Sequence, residues 1–148
     1  MARNVFFSFH YQRDIFRVNQ IRNLPEIIGT SAAGFNDASL WEKAKKEGDA
    51  AIKGMIDKAL QNTSLTVVCI GNQTANRKYV DYEITKSLER GNGLVGLQIH
   101  HLKDISGFTD SPGAIPYKIT VNGFKVYQYI NSAYLSRWIE EAAQLARR

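Results

Sequence analysis

The stretch that decides the fold covers residues 65–99, LTVVCIGNQTANRKYVDYEITKSLERGNGLVGLQI. Its two ends, residues 65–70 and 94–99, are short runs that are apolar on both faces, as strands buried inside a parallel sheet are. Between them, apolar side chains recur at every fourth position, which predicts a helix over residues 78–90. Because parallel neighbours need such a crossover, the stretch predicts a strand, a helix and a second strand parallel to the first.

The preceding segments extend this alternation of strands and helices. Residues 4–9, NVFFSF, predict a further buried strand. A helix is expected over residues 15–21, with Asp14 as its N-cap, and another over residues 49–60. Residues 29–37 are small and polar, with two glycines, and predict a loop that can move.

The segments after residue 99 differ in pattern from the first part of the chain. Residues 100–116 lack periodicity and predict a long loop. The runs 117–121 and 124–129 flank Asn122-Gly123, which is a strong short-range signal for a β-hairpin. Ser132 is expected to cap a last helix. Together, the patterns predict an α/β fold: an open, mainly parallel sheet with helices on both faces, plus a C-terminal hairpin and helix.

Length and composition limit the kind of protein that this can be. With 148 residues, of which 44% are apolar, we expect one globular domain that covers residues 1–148. Cys69 is the only cysteine, so a disulfide framework is excluded and a buried, inert thiol is expected. No apolar run approaches the roughly 20 residues of a membrane span, and the N-terminus does not resemble a secretory signal. We therefore expect a cytoplasmic protein.

The charge of the chain favours an anionic partner only weakly. The net charge is +5, but the lysines and arginines are scattered and form no long basic block. A dense phosphate-binding face of the kind found on nucleic-acid modules is not expected, and neither is a nucleic-acid partner. A phosphorylated small molecule would satisfy the same charge.

Several common sites lack their motifs in this sequence. There is no glycine-rich dinucleotide fingerprint, no P-loop and no nucleophile elbow. His100 and His101 are adjacent, and His10 is distant from both along the chain, with no cysteine or acidic residue at zinc-ligand spacing. No metal site is expected.

Ligands of open α/β sheets bind at the carboxyl ends of the strands, which directs attention to a few segments. These are residues 8–10, residues 29–41 and the stretch from Gly71 into the helix at 78–90. In that helix, Glu83 lies at the margin of the apolar stripe, where its carboxylate would be partly desolvated. Spacing alone leaves an alternative open, a surface pair between Glu83 and Lys86.

The same helix carries a resemblance to a known family. Residues 79–88, YVDYEITKSL, followed by residues 91–97, GNGLVGL, resemble the catalytic helix and the following strand of TIR domains. Residues 3–11 and 17–23, RNVFFSFHY and RVNQIRN, together with residues 138–143, are similar to the TIR-like proteins of bacterial Thoeris anti-phage defence. The resemblance therefore extends over nearly the whole chain.

The resemblance implies a flavodoxin-like fold and an enzyme that cleaves the nicotinamide glycosidic bond of NAD. It implies that Glu83 is the catalytic residue, that NAD is a substrate rather than a cofactor, and that the product is a cyclic ADP-ribose isomer. In Thoeris this product is a second messenger that activates an effector protein. A phage-derived trigger and a homo-oligomer stay open as further partners.

The resemblance also directs attention to contacts with the substrate. Ser8 is expected at the floor of the pocket, a planar base is expected to stack on Phe9 or Trp41, and the pyrophosphate is expected to meet His10 or Arg17. The loop at 29–37 would act as a lid that excludes water. Phe9 could equally belong to the core, Trp41 could be a packing residue and Arg17 a solvated one. The expected substrate-binding residues are Ser8, Phe9, His10, Arg17, Asp37 and Trp41.

Two other functions remain compatible with the sequence. One is a non-catalytic TIR-like module that binds a nucleotide or assembles with partners. The other is a nucleoside-transferring enzyme of related fold, in which the carboxylate itself attacks the sugar. Release of nicotinamide from NAD would exclude the non-catalytic module. A glycosyl adduct on Glu83 would identify the nucleoside-transferring enzyme.

Overall fold

One sheet of parallel strands with connecting helices organises the chain. The computed structural model describes residues 3–21, 27–30 and 38–147. In chain order the elements are β1 (Arg3–Ser8), α1 (Tyr11–Asn19), β2 (Ile27–Thr30), α2 (Ala38–Glu47), α3 (Asp49–Leu60), β3 (Leu65–Ile70), α4 (Lys78–Glu89), β4 (Gly93–Gln98), α5 (Tyr117–Val121), β5 (Lys125–Gln128) and α6 (Ser132–Leu145).

The strand order makes this a flavodoxin-like sheet. The five strands follow the order β2-β1-β3-β4-β5, and every neighbouring pair is parallel. The direction of winding reverses between β1 and β3, which is the place where doubly wound sheets bind their ligands. The predicted strand, helix and strand over residues 65–99 are confirmed as β3, α4 and β4, within one residue at each boundary.

Helices cover both faces of the sheet, as the apolar runs predicted. Consecutive strand residues point to opposite faces, and here both sets are buried. Phe7 and Val67 pack in a cluster with α1 and α6, whereas Phe6 packs against α2 and α3, and Val68 packs against α4. Because both faces are covered there, β3 and β4 are buried and mostly apolar along their length instead of alternating.

The predicted C-terminal hairpin is wrong. Its first half is the short helix α5, and its second half is β5, which pairs in parallel with β4. The Asn122-Gly123 pair ends α5: the backbone N–H of Gly123 donates to the carbonyl of Thr120, and that of Phe124 to the carbonyl of Ile119. Gly123 has a φ of +86°, which suits the residue after a helix as well as a hairpin turn. The predicted final helix is confirmed as α6.

Two of the predicted helix caps are also wrong by a few residues. Helix α1 begins at Tyr11, so Asp14 lies within its first turns and is fully buried. Helix α6 is capped by Asn131 rather than Ser132, because the side chain of Asn131 accepts a hydrogen bond from the backbone N–H of Tyr134. None of the described helices is both long and apolar enough to span a bilayer.

The segment predicted as a long loop, residues 100–116, contains no helix or strand and crosses the turn that follows β3. At the crossing, a Cβ on Gly113 would overlap the carbonyl oxygens of Gly71 and Asn72. We expect Gly113→Ala to lower the free energy of unfolding by about 1–3 kcal/mol, since backbone must move to admit the methyl group. Denaturant unfolding measures this change.

The matched control is Gly54→Ala in the middle of α3. No atom lies within 4 Å of the position that its Cβ would take. This variant should be stabilised by up to about 1 kcal/mol, because alanine favours a helix more than glycine does. Equal stability of the two variants would contradict the close approach at Gly113.

Candidate active site

The carboxyl ends of β1 and β3, where the winding reverses, meet a cleft. Ser8 is the last residue of β1, and α4 follows β3 after a short turn. The cleft has a volume of about 270 Å³. Its lining comes from three stretches of the chain: Phe7, Phe9, His10, Tyr11, Gln12, Trp41, Lys45, Arg77, Lys78, Tyr79, Val80 and Glu83.

Among the residues that the structure describes, Glu83 is the acidic residue that lines this cleft, and it is buried. It belongs to the stripe of α4 that faces the sheet, together with Val80, Ile84 and Ser87. Only 6% of Glu83 is exposed, and the hydroxyl of Ser8 donates a hydrogen bond of 2.7 Å to its Oε1. The carboxylate is thus held between the first strand and the helix after the third.

The alternative partner for Glu83, Lys86, lies elsewhere. The Nζ of Lys86 is 3.3 Å from Oε1 of Glu89, on the exposed side of α4. A surface pair between Glu83 and Lys86 is therefore wrong.

The helical turn that carries Glu83 is fixed to the sheet by buried hydroxyls. The Oγ of Ser87 donates to the backbone carbonyl of Glu83 at 2.7 Å and lies 2.7 Å from the Oγ1 of Thr66 on β3. Ser87 and Thr66 are both fully buried. The position of the carboxylate is therefore set by the sheet as well as by its own side-chain torsions.

Burial controls the protonation of Glu83. Desolvation raises its pKa to about 8, while the hydrogen bond from Ser8 acts in the opposite direction. Because the folded pKa is raised, the carboxyl contributes its full stability below the unfolded pKa near 4.5 and loses it as the pH rises to about 8.

A stability prediction follows from this pKa. We expect Glu83→Gln to gain stability relative to the natural chain as the pH rises, by up to roughly 1.4 kcal/mol for each pH unit between about 4.5 and 8. Glutamine cannot ionise, so its burial cost does not change over this range. Chemical unfolding at pH 5 and pH 8 measures the gap between the two chains, and a gap that is the same at both would refute the raised pKa.

Aromatic side chains line one wall of the cleft. The Tyr11 ring stacks on Phe9, with centroids 5.8 Å apart, and on Trp41 at 5.3 Å. Tyr79 meets Trp41 edge-on at 6.1 Å, and its hydroxyl donates to Asp49. This wall offers flat apolar faces to a planar ring.

Within the described parts of the chain, three cations line the cleft, and they differ in how far they are already paired. Lys78 lies 2.8 Å from Asp49, and the guanidinium of Arg77 donates to the backbone and side-chain oxygens of Gln73. Lys45 is 3.9 Å from the carboxylate of Glu42, the longest of the described ion pairs. Of the two lysines, Lys45 therefore has the more weakly held carboxylate partner.

The structure brings most of the expected site residues together. Phe9, His10 and Trp41 line the cleft, and Ser8 donates a hydrogen bond to Glu83 at its buried end. Burial, and next the charge of Arg77, lower the pKa of His10, which favours the neutral imidazole. Asp37 lies outside the described residues. So does most of the expected lid, since residues 29 and 30 belong to β2 and residues 31–37 are not described.

Arg17 is the expected contact that the structure places elsewhere. Its guanidinium is buried beneath the segment 100–116, where it donates to the carbonyls of Leu102 and Phe108. It also pairs with Asp14 and Asp110, both at 3.2 Å. Arg17 thus fastens this segment to α1, and the prediction that it meets a pyrophosphate in the cleft is wrong.

We expect Arg17→Lys to destabilise the fold by about 2–4 kcal/mol, because an ammonium cannot replace a buried fork of donors. The affinity of the cleft for a nucleotide should not change while the chain is folded. The control is Arg13→Lys. Arg13 is partly exposed and lies 3.0 Å from Asp110, so its substitution should lower the free energy of unfolding by less than about 1 kcal/mol. If Arg17→Lys lost nucleotide affinity while its stability stayed unchanged, Arg17 would be a substrate contact after all.

Several cleft residues were not predicted from the sequence. Tyr11 directly follows the expected pocket residues at the end of β1, and Tyr79 precedes Glu83 by one helical turn. Lys45 follows Trp41 by one turn of α2. Helical spacing from Glu83 and Trp41 could have identified the last two. In the parts of the chain that the structure describes, no three His, Cys, Asp or Glu side chains are grouped so that they could hold a metal ion.

Comparison with known proteins gives two matches. The family model for the TIR-like domain of the Thoeris protein ThsB matches residues 6–104. The chain is 53% identical over 119 residues to the Bacillus cereus (strain MSX-D12) protein named "Putative cyclic ADP-D-ribose synthase ThsB1". That alignment covers 79% of this chain and 62% of the relative, so the chain spans about three fifths of the relative's length.

Proposed function

This chain belongs to the family of the Thoeris ThsB TIR-like domain, and from that premise we propose that it cleaves the nicotinamide glycosidic bond of NAD and closes the product into a cyclic ADP-ribose isomer. The observation that carries the proposal is the buried Glu83 carboxylate, held by Ser8 beside a cleft at the reversal point of the sheet. The name of the Bacillus cereus relative supports the cyclic product.

The chemistry needs only one carboxylate. Nicotinamide departs from an already cationic ring: the bond between its nitrogen and the ribose C1′ breaks, and the electron pair stays on the nitrogen. The leaving group is neutral, so no general acid is required, in contrast to ordinary glycoside hydrolysis with its two carboxyl groups. Positive charge gathers on the ribose, and the Glu83 carboxylate stabilises it in a site of low dielectric constant.

The buried position of Glu83 suits this role. A carboxylate that is 6% exposed interacts with a sugar cation more strongly than a solvated one would. The fixed helical turn and the Ser8 hydroxyl orient the carboxylate before the substrate arrives, so little reorganisation is needed in the transition state.

Cyclisation requires a second group of the same ADP-ribose to reach the cation before water does. The aromatic wall made by Tyr11, Trp41 and Tyr79 favours this outcome, because it can hold the far base of the substrate while it limits solvent. The cyclic product would act as a messenger to an effector protein in anti-phage defence within the cytoplasm.

The direct test is incubation of the purified protein with NAD, alone and with lysate of phage-infected cells as a source of an activating trigger. Chromatography measures nicotinamide, and mass spectrometry separates a cyclic product, one water lighter than ADP-ribose, from ADP-ribose itself. Nicotinamide with the lighter product supports the proposal. Nicotinamide with ADP-ribose alone would leave a hydrolase, and no nicotinamide under either condition would point to a non-catalytic module.

A further inference from the structure

The cleft beside Glu83 is small for a whole dinucleotide. Its volume of about 270 Å³ lies just below the roughly 300–1,000 Å³ that is usual for ligand pockets. If Glu83 holds the nicotinamide ribose at the buried end, as the proposed function requires, the other half of NAD must extend over the mouth of the cleft. The residues at that mouth therefore determine how the remainder is held.

Helix α2 provides two such residues, Trp41 and Lys45. They are four positions apart, so they occupy one face of the helix about 6 Å from each other, and both line the cleft. Trp41 is partly buried, and the side chain of Lys45 is 40% exposed. An aromatic face and an ammonium on one face of a helix, one turn apart, can contact a base and the phosphate of the same nucleotide.

The distance from Glu83 indicates which nucleotide this is. Tyr79 is one helical turn from Glu83, about 6 Å along α4, and the Tyr79 ring lies 6.1 Å from the Trp41 ring. Trp41 is therefore separated from the carboxylate by a full tyrosine ring. When Glu83 holds the nicotinamide ribose, the nicotinamide ring stays close to the carboxylate. The adenine, which lies beyond the pyrophosphate, can reach as far as Trp41.

We propose that Trp41 and Lys45, here called the α2 subsite, bind the adenosine monophosphate half of the substrate. The Trp41 ring stacks on the adenine, since every base offers a π-face to an aromatic side chain. The Lys45 ammonium contacts the adjacent phosphate as a point charge. The subsite depends on the proposed NAD cleavage for the identity of its ligand, but its contacts are independent of the bond-breaking step.

To admit a base between Tyr11 and Trp41, the α2 subsite must open by a small shift of α2. Gly48 alone connects α2 to α3, with a φ of +106° and a ψ of −174°, a region that is essentially restricted to glycine. The Tyr11 and Trp41 centroids are 5.3 Å apart. A base between two rings needs about 7 Å, twice the ~3.5 Å contact distance, so a shift of α2 by under about 2 Å is sufficient.

The first test is a binding measurement that does not need turnover. The chain has two tryptophans, and the second, Trp138, is stacked on Tyr127 in the cluster with α1 and α6. In a Trp138→Phe background, Trp41 is the only fluorophore of its kind. Adenosine monophosphate is expected to quench its fluorescence at lower concentration than nicotinamide mononucleotide does.

Neighbouring lysines give a matched pair of variants. In the same background, Lys45→Gln should weaken the binding of adenosine monophosphate about tenfold, since one ion contact to phosphate is lost. Lys46→Gln removes the same charge from an exposed position that does not line the cleft, and it should change binding by less than about twofold. Equal losses in the two variants, or tighter quenching by nicotinamide mononucleotide, would overturn the α2 subsite.

Kinetics separate this inference from the proposed function. Trp41→Ala should raise the KM for NAD about tenfold and leave kcat within about threefold, because stacking is lost equally from the ground and transition states. If NAD is cleaved and Trp41→Ala leaves KM unchanged, the subsite is wrong and the function stands. The opposite outcome is that neither the natural chain nor any variant cleaves NAD, but adenosine monophosphate still quenches the fluorescence of Trp41 in a Lys45-dependent manner. In that case the proposed function is wrong and the α2 subsite stands.

Discussion

Glu83→Gln is expected to slow nicotinamide release from NAD by roughly two to three powers of ten, as loss of one preorganised electrostatic group does elsewhere. Glutamine has nearly the same shape, and its amide oxygen can still accept the hydrogen bond that Ser8 donates. What disappears is the negative charge beside the sugar cation. Nicotinamide release at saturating NAD, at a pH where the carboxyl is ionised, measures the effect.

Glu89→Gln is the matched control for this substitution. Glu89 lies on the same helix, is exposed, and pairs with Lys86 on the surface. The control variant should retain activity within about twofold, because a surface ion pair contributes little. Full activity of Glu83→Gln would remove the carboxylate from the mechanism, and equal losses in both variants would indicate a general effect on α4.

The second large effect is expected in the pH dependence. The pKa of Glu83 is raised to about 8 by burial, so the charged form becomes scarcer as the pH falls. For NAD, kcat/KM should therefore decrease about tenfold for each pH unit below 8 and level off above it. Initial rates at low NAD concentration between pH 6 and pH 9 give the profile, and a flat profile would contradict a single ionised carboxylate.

Ser8→Ala tests whether the pH profile belongs to Glu83. The hydroxyl of Ser8 donates to the carboxylate and lowers its pKa against the effect of burial. Its removal should move the midpoint of the profile to higher pH, while the rate at the alkaline plateau changes less. A midpoint that stays in place would assign the titration to a group other than Glu83.

The local patterns of the sequence predicted β3, α4 and β4 because strand burial and helical periodicity are properties of neighbouring residues. The same patterns failed where a distant segment decides the outcome. Asn122-Gly123 suits a hairpin turn and a helix end equally well, and the edge of β4 accepts a parallel strand, so α5 forms the crossover. Turn residues specify a change of direction without specifying the partner strand.

The candidate site shows the same division between local and distant information. The position of Glu83 on α4 was predictable from spacing, but its hydrogen-bond partner is Ser8, which is 75 residues away in the chain. Arg17 has the spacing of a solvated side chain. Only the fold shows that the carbonyls of Leu102 and Phe108 accept hydrogen bonds from its guanidinium. Long side chains that pair with remote backbone have no signature in a single sequence.

The reactivity of the buried Cys69 thiol can report unfolding of the sheet. Cys69 is fully buried near the carboxyl end of β3, the central strand of the sheet, and burial raises the pKa of its thiol far above neutrality. A maleimide or disulfide reagent should therefore react only when the middle of the sheet separates. Since this is the chain's single cysteine, the labelling rate of each variant discussed above would report how often its sheet opens, without any added tag.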